Sequence, residues 1–288
     1  MKILIFGKHG QVGSHLCRLL AELDEHELVA LDIEDLNLLE LDAIEDCLVT
    51  HCPDWVINAS AHTAVDRAES EPDLARQLNT CAPETMAKTC AAIGASMIHY
   101  STDYIFDGLS REPYVETDRS NPQSVYGTTK LAGEIGVLSY LPQAIIFRTS
   151  WVFSKYGQNF VNTMLRLARE SKPIRVVGDQ FGCPTLADDL AEVTVQVLRA
   201  IVLGKSHHQG GIYHASGRGE TSWHGFCQKI MALSGNEHIQ VKSISTAEYP
   251  TPAPRPAYSV LANDKLRLVY AQQLPHWHES LERCLKQL

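Results

Sequence analysis

The chain begins with an apolar run, Ile3 to Phe6, inside a strand expected over residues 1–6. An apolar run without alternation is the pattern of a strand buried on both faces. The period then changes to that of a helix, with Val12, Leu16, Leu19, Leu20 and Leu23 on one side. Leu28 to Leu31 is a second short apolar run and closes on Asp32. The alternation of periods continues with a helix at about 42–51, a strand at 55–57 and a long helix over 71–93 that starts beside Pro72. A strand at 96–100, a helix through 126–130 and a strand at 144–148 follow.

Six β–α repeats by about residue 150 require a parallel sheet with helices on both faces. The expected class is α/β: a Rossmann-type doubly wound parallel sheet over residues 1–150, then a smaller α/β substrate-binding domain over 151–288. Some later segments have room to return to the first domain. Beyond Trp151 the rhythm loosens, with helices expected at about 157–171, 186–203, 222–235 and 275–287. Short strands are expected at 175–177 and 212–214, and residues 249–256 are rich in proline. No flexible linker separates the halves, so they should share an extensive interface.

Composition narrows the function classes. The 288 residues are 44% hydrophobic with a net charge of −9 and no basic cluster, which argues against a nucleic-acid partner. An anionic substrate would need its own local cations. The eight cysteines are scattered without a Cys-x-x-Cys pair, so they read as buried thiols in a reducing compartment rather than as a zinc site or a disulfide framework. The N-terminal apolar run is too short for a signal segment or a membrane span, so a cytoplasmic protein without a membrane partner is expected.

Candidate chemistry gathers where strands end. Gly7, Gly10 and Gly13 follow the first strand with the spacing Gly-x-x-Gly-x-x-Gly and open a helix. Such a turn allows close backbone approach to a pyrophosphate and close helix–strand packing. Asp32 ends the second strand, where a carboxylate accepts a hydrogen bond from a ribose 2′-OH and repels a 2′-phosphate. That leans towards NADH over NADPH, with Lys8 a partial offset. Small residues from Asn58 to Thr63 let a cofactor lie against the third strand end, and His62 there is either a ligand contact or a loop histidine. Asn37 and Leu38 are candidate adenine neighbours. At the fourth strand end, the Thr102 hydroxyl is placed to bond a substrate carbonyl. Tyr126 and Lys130, four apart, share a helix face, and a nearby cation lowers the pKa of a phenol that is to act as a proton donor.

These motifs occur in the order of the extended short-chain dehydrogenase/reductases, and more narrowly the chain resembles the dTDP-4-dehydrorhamnose reductases. The narrower resemblance rests on Phe6 to Gly13, Ala61 to Asp66, Tyr100 to Asp107, Tyr126 to Glu134, Phe147 to Val152 and Tyr249 to Pro256. It implies reduction of the 4-keto group of dTDP-4-dehydro-β-L-rhamnose by NADH or NADPH. By position it implies Tyr126 as proton donor, Lys130 as tuning cation and ribose ligand, and Thr102 as the hydroxyl partner that contacts the sugar with Asp103. Trp151 matches a substrate-contacting tryptophan. Gly10, Gln11, Val12, Asp32, Asn37, Leu38, Ala61, His62, Thr63, Tyr100 and Lys130 match cofactor positions. Arg255, in the proline-rich stretch, is a candidate for the substrate pyrophosphate or a plain surface arginine.

Some members of that family hold Mg²⁺ between subunits. The matching positions here are His15, Asp188 and Gln287, with one hard anionic ligand among three, so no metal site is expected there. A homodimer of another kind stays open. So do a reductase of a related nucleotide 4-keto-6-deoxy sugar and a non-catalytic NADP-binding regulatory subunit of the methionine adenosyltransferase type. Dehydration is disfavoured, because Tyr104 stands where dehydratases carry a second carboxylate.

Overall fold

The structure, a computed structural model, describes residues 1–22, 26–170 and 172–288. Leu23 and the residue-171 end of one expected helix lie outside the described residues.

Among the described residues, five strands precede residue 150: β1 (Lys2–Phe6), β2 (Glu27–Leu31), β3 (Trp55–Asn58), β4 (Ser96–Thr102) and β5 (Ile145–Thr149). The expected sixth repeat is not among them. The sixth strand of the sheet is Gly211–His214, which the sequence pattern had placed in the smaller domain. It pairs in parallel with β5, Gly211 against Ile145 and His214 against Arg148, a partnership no local pattern encodes. The sheet runs Gly211–His214, β5, β4, β3, β1, β2, all parallel. Strand order therefore reverses between β1 and β3, and the crevice at their carboxyl ends is where a doubly wound sheet takes its ligand.

The apolar run of β1 splits between two cores. Ile3 and Ile5 join Leu16, Leu190 and Val197 on one face. Leu4 and Phe6 join Ile44, Leu48 and Met86 on the other. Alternation exists in three dimensions, but it is invisible in the sequence because both faces are dry. The helices Ala187–Val202 and Asp264–Tyr270 pack in the first of these cores through Leu190, Val197, Leu266 and Tyr270. A separate core gathers Phe153, Val161, Ile174, Phe226, Trp277 and Leu281 from the later half.

The helix expected over 71–93 is three joined pieces: Pro72–Arg76, a π turn at Gln77–Cys81, and Ala82–Ile93. A π turn inserts one residue and commonly marks a functional position. A short helix, Val65–Ser70, had no signal in the pattern. The cysteines are free, but only Cys90, Cys183, Cys227 and Cys284 are buried, and Cys52 is exposed at a left-handed helix end.

One ion pair is sealed beneath the sheet. Arg148 of β5 donates through Nε and Nη2 to both oxygens of Glu134, on the helix Val125–Tyr140, at 2.7–3.2 Å. Both side chains are buried. Removing one partner strands the other's charge, which costs more than the pair contributes. Glu134→Gln should lower unfolding free energy by about 3 kcal/mol in urea titrations. A loss well under 1 kcal/mol would show that the guanidinium finds other compensation.

Candidate active site

The glycine turn is closed by contacts that tolerate no side chain. Gly7 has φ +89°, and a Cβ there would meet the Ala59 carbonyl group and Ser60 nitrogen at 2.9 Å. A Cβ on Gly13 would stand 1.9 Å from the Gly7 oxygen. The turn is thus pressed between its own helix, Gln11–Ala21, and the end of β3, at the switch point. Val12 follows on the first helical turn. The Gln11 amide oxygen accepts from Asn159 Nδ2 at 3.0 Å, which ties the turn to the later half of the chain.

Asp32 sits beside the turn, with Oδ2 accepting the His9 backbone N–H at 2.9 Å and Oδ1 that of Ile33 at 2.8 Å. Lys8 is held by Asp35 at 2.5 Å and Glu34 at 3.1 Å. The cation expected to offset Asp32 is therefore already matched by two further acids. A cavity beyond Asp32 is lined by Gly7, Asn37, Leu38 and Ala61, which brings these candidate cofactor residues together.

The loop after β3 is held by Asn79 of the π turn. Its Oδ1 accepts the His62 N–H at 2.8 Å, and its Nδ2 donates to the His62 carbonyl at 3.1 Å and to Thr129 Oγ1 at 3.2 Å. His62 itself is buried, with Nε2 3.8 Å from Glu71, while Thr63 is exposed. Sequence reasoning noted Asn79 only as a polar residue in an apolar helix. The structure makes it the link between the loop and the helix that carries Tyr126 and Lys130.

Thr102 closes β4, two residues later than expected, so its hydroxyl is fixed by a strand rather than a loop. It donates to Asp103 Oδ1 at 3.1 Å and accepts the Tyr104 N–H at 3.2 Å. Tyr126 starts the facing helix, capped by Ser124, whose Oγ accepts the Gly127 N–H at 3.1 Å. A Cβ at Gly127 would lie 2.2 Å from the Tyr104 oxygen, so glycine there lets the helix start reach the end of β4. The Thr102 hydroxyl stabilises a Tyr126 phenolate in part, yet burial dominates and pushes the phenol up to about 12. The lowering expected from Lys130 is not seen. Lys130 Nζ instead donates to the Tyr100 carbonyl at 2.6 Å and lies 3.4 Å from His99 Nε2. Burial pulls the lysine itself down to about 8. Tyr100 faces the site only through that carbonyl, since its hydroxyl is bonded to Thr194 Oγ1 at 2.6 Å in the core.

Tyr104, beside Tyr126, lines a cleft of about 410 Å³ together with Asp66, Phe160, Trp223, Tyr249, Arg255 and others. Tyr104 and Tyr126 meet edge to face at 5.5 Å. Arg255 reaches this cleft, paired with Asp66 at 2.8 Å. Trp151 stacks on Trp223 at 3.4 Å with φ +47°, a conformation that is strained for a bulky residue. Phe160 and Trp223 carried no sequence signal, because aromatic residues in helices usually read as core.

The RmlD substrate binding domain family matches residues 1–288. The chain is 42% identical to a dTDP-4-dehydrorhamnose reductase of Sinorhizobium fredii, over 99% of this chain and 97% of that one. It is 40% identical to one of Escherichia coli, over 100% and 98%. The chain belongs to the dTDP-4-dehydrorhamnose reductase family. A reductase structure from Clostridium acetobutylicum superposes with TM-score 0.93 at 39% identity, covering 100% of this chain and 99% of that one. The Bacillus anthracis reductase in complex with NADP gives TM-score 0.92 at 35% identity, covering 100% and 99%.

The positions where some dTDP-4-dehydrorhamnose reductases hold a metal have different chemistry here. His15 is buried between Ser154 Oγ, at 3.1 Å, and Asp188. Arg18, Lys155 and Arg283 surround Asp188, Glu192 and Gln287 at the adjoining cavity. Three cations beside two carboxylates form a poor set for a hard divalent ion.

Asp103 gives this reductase site a measurable cost. Burial raises its carboxyl to about 6 from an ordinary 3.8, against partial relief from Ser259 and Thr102. The folded chain holds that proton more readily than the unfolded one. Its contribution is therefore most favourable below pH 3.8 and declines as pH rises through about 6. Asp103→Asn should be roughly 2 kcal/mol more stable than the parent at pH 8, with the gain shrinking towards pH 4. Urea unfolding at the two pH values checks this, and a variant that is less stable at pH 8 refutes it.

Proposed function

We propose that the chain reduces the 4-keto group of dTDP-4-dehydro-β-L-rhamnose to give dTDP-L-rhamnose, using NADH or NADPH. The observation carrying this reading is that the Thr102 hydroxyl meets both Asp103 and Tyr126, whose ring lies against Tyr104 of the aromatic cleft, in a chain similar over its whole length to reductases of that name. The crevice residues Gly7, Gly10, Gln11, Val12, Gly13, Asp32, Asn37, Leu38, Ala61, His62 and Thr63 would hold the cofactor, with the Tyr100 carbonyl and Lys130 at its nicotinamide end. When bound, the nicotinamide supplies a hydride.

The chain's own groups handle the charge that follows. Hydride arrival at C4 develops an alkoxide, which Tyr126 protonates and the Thr102 hydroxyl stabilises. A phenol held near 12 keeps its proton until that alkoxide forms, because an alkoxide is a far stronger base than a phenolate. Asp103 orients Thr102. Phe160 and Trp223 offer flat apolar surface to a base or sugar, Trp151 supports Trp223 from behind rather than lining the cleft, and Arg255 would meet the pyrophosphate once released from Asp66. Asp32, with Glu34 and Asp35 nearby, favours NADH. A homodimer, if formed, would not use a metal bridge at His15, Asp188 and Gln287.

Tyr126→Phe should lower kcat for the dTDP-4-keto sugar by about 10²- to 10⁴-fold while NADH binding, followed by fluorescence, is retained. Near-parental turnover would remove Tyr126 from its role. For the cofactor, Asp32→Ala should raise the ratio of kcat/KM for NADPH over NADH by about tenfold. An unchanged ratio would place the selectivity elsewhere.

A further inference from the structure

Two short parallel strands beside the aromatic cleft, Ile174–Val177 and Val241–Ile244, pair in register and bring the residues just beyond their ends together. Asp179 accepts the Thr246 backbone N–H at 2.9 and 3.0 Å and the Thr246 hydroxyl at 2.7 Å. Burial works against the Asp179 charge, but the Thr246 bonds outweigh it and hold the carboxyl below its usual range. Asp179 is therefore ionised near neutral pH and can only accept. A hydroxyl has one proton, and Asp179 holds that of Thr246, so towards any other neighbour Thr246 Oγ1 is an acceptor. That neighbour is Gln180, whose Nε2 donates to Thr246 Oγ1 at 3.0 Å. The direction of the Gln180 amide is thereby fixed. Its amino end is held at Thr246, and its carbonyl oxygen is the end left to the cleft that Gln180, only 6% exposed, helps to line.

The surroundings decide which donor that oxygen can meet. Val176 and Val177, from the strand that leads to Gln180, line the cleft with Met164, Leu167, Phe160 and Trp223. Asp66 and Arg255, beside Tyr104, make up its charged part. A flat heterocycle suits the first group and a pyrophosphate the second. We propose that Gln180 is a specificity-determining residue whose amide oxygen accepts the N3–H of a thymine or uracil ring, with Thr246 and Asp179 holding the amide so that it cannot turn to suit cytosine. The proposal rests on the reading of the cleft as a nucleotide-sugar site. Cytosine has a bare N3, which would face the amide oxygen lone pair to lone pair, an unfavourable state in a dry pocket. An amide free to turn would offer its NH₂ group to that nitrogen instead and take either pyrimidine. Discrimination therefore comes from the lock behind Gln180 as much as from Gln180 itself. Thymine and uracil share the N3–H, so this contact treats them alike.

Calorimetric titration of the NADH-saturated protein with dTDP, dUDP, dCDP and N3-methyl-dTDP tests this without turnover. The unsubstituted protein should bind dTDP and dUDP alike as far as this contact goes, and dCDP and N3-methyl-dTDP about 10²-fold more weakly. Thr246→Val keeps the backbone N–H for Asp179 but frees the amide, so dCDP should bind about tenfold more tightly than to the parent. A gain of affinity for the wrong base is an effect that a merely loosened fold does not produce. Gln180→Leu should bind dTDP and N3-methyl-dTDP within about threefold of each other, because the acceptor that tells them apart is gone. An unchanged dCDP affinity in Thr246→Val overturns the proposal. So does equal binding of dTDP and N3-methyl-dTDP to the unsubstituted protein, a result that stands even if neither variant folds. Failure of the underlying reading is distinguishable, since dTDP itself would then not bind the cleft, whereas failure of the Gln180 assignment leaves dTDP bound without preference at N3.

Discussion

A lysine amine with almost no exposure to water is the constraint to which the rest of the site conforms. Lys130 can be buried only if the helix Val125–Tyr140 lies close enough to β4 for Nζ to reach the Tyr100 carbonyl. Two glycines on that helix, one on each side of Lys130, permit the approach. A Cβ at Gly127 would collide with the Tyr104 oxygen, and one at Gly133 would lie 2.1 Å from the Asn79 oxygen. Residues 127, 130 and 133 recur at three-residue spacing and share one side of the helix. The face that carries the buried amine is therefore the face that has given up side chains.

The π turn extends the same logic to the cofactor side. An extra residue in the helix sets the Asn79 backbone against Gly133 and its side chain against His62 and Thr129. One amide thus satisfies the backbone of the loop after β3 and a hydroxyl of the helix Val125–Tyr140. Without it, His62 would present a buried N–H and carbonyl with no partner, an unfavourable state for any loop. The crevice and the helix that carries Tyr126 are in this way parts of one arrangement rather than two neighbouring surfaces.

What the sequence showed follows from what is local. β1, the glycine turn and the first helix were legible because a dry strand, a tight turn and an amphipathic helix each leave a short-range pattern, and the order of motifs identified the family. Gly211–His214 was legible as a strand but its place in the sheet was not, because its partner, β5, lies far back in the chain. The pairing of Asp66 with Arg255 spans 189 residues. The positive φ of Trp151 depends on Gly182, into whose missing side-chain space its indole fits at 2.5 Å. The pKa argument for Tyr126 failed for a related reason. Helical spacing sets Lys130 one turn from Tyr126 but does not say where its amine points, which is to the Tyr100 carbonyl, and burial dominates both groups.

The cleft shows how an acidic chain can admit an anion. With a net charge of −9, the surface at large repels a nucleoside diphosphate, and the cation that lines the inner cleft beside Tyr104 is already matched by a carboxylate. Arg255 is also held by the Ala253 carbonyl and lies 5.9 Å from the Tyr104 ring centre, so it is preorganised rather than free. A pyrophosphate presents more charge than Asp66 and matches the planar fork of a guanidinium through two oxygens. A monoanion offers Arg255 nothing that Asp66 does not already provide. On the proposed reading, the Asp66–Arg255 pair is a threshold: it keeps the guanidinium aligned while the cleft is empty and yields only to a ligand of higher charge, which selects the nucleotide end of the substrate before the keto group reaches Tyr126.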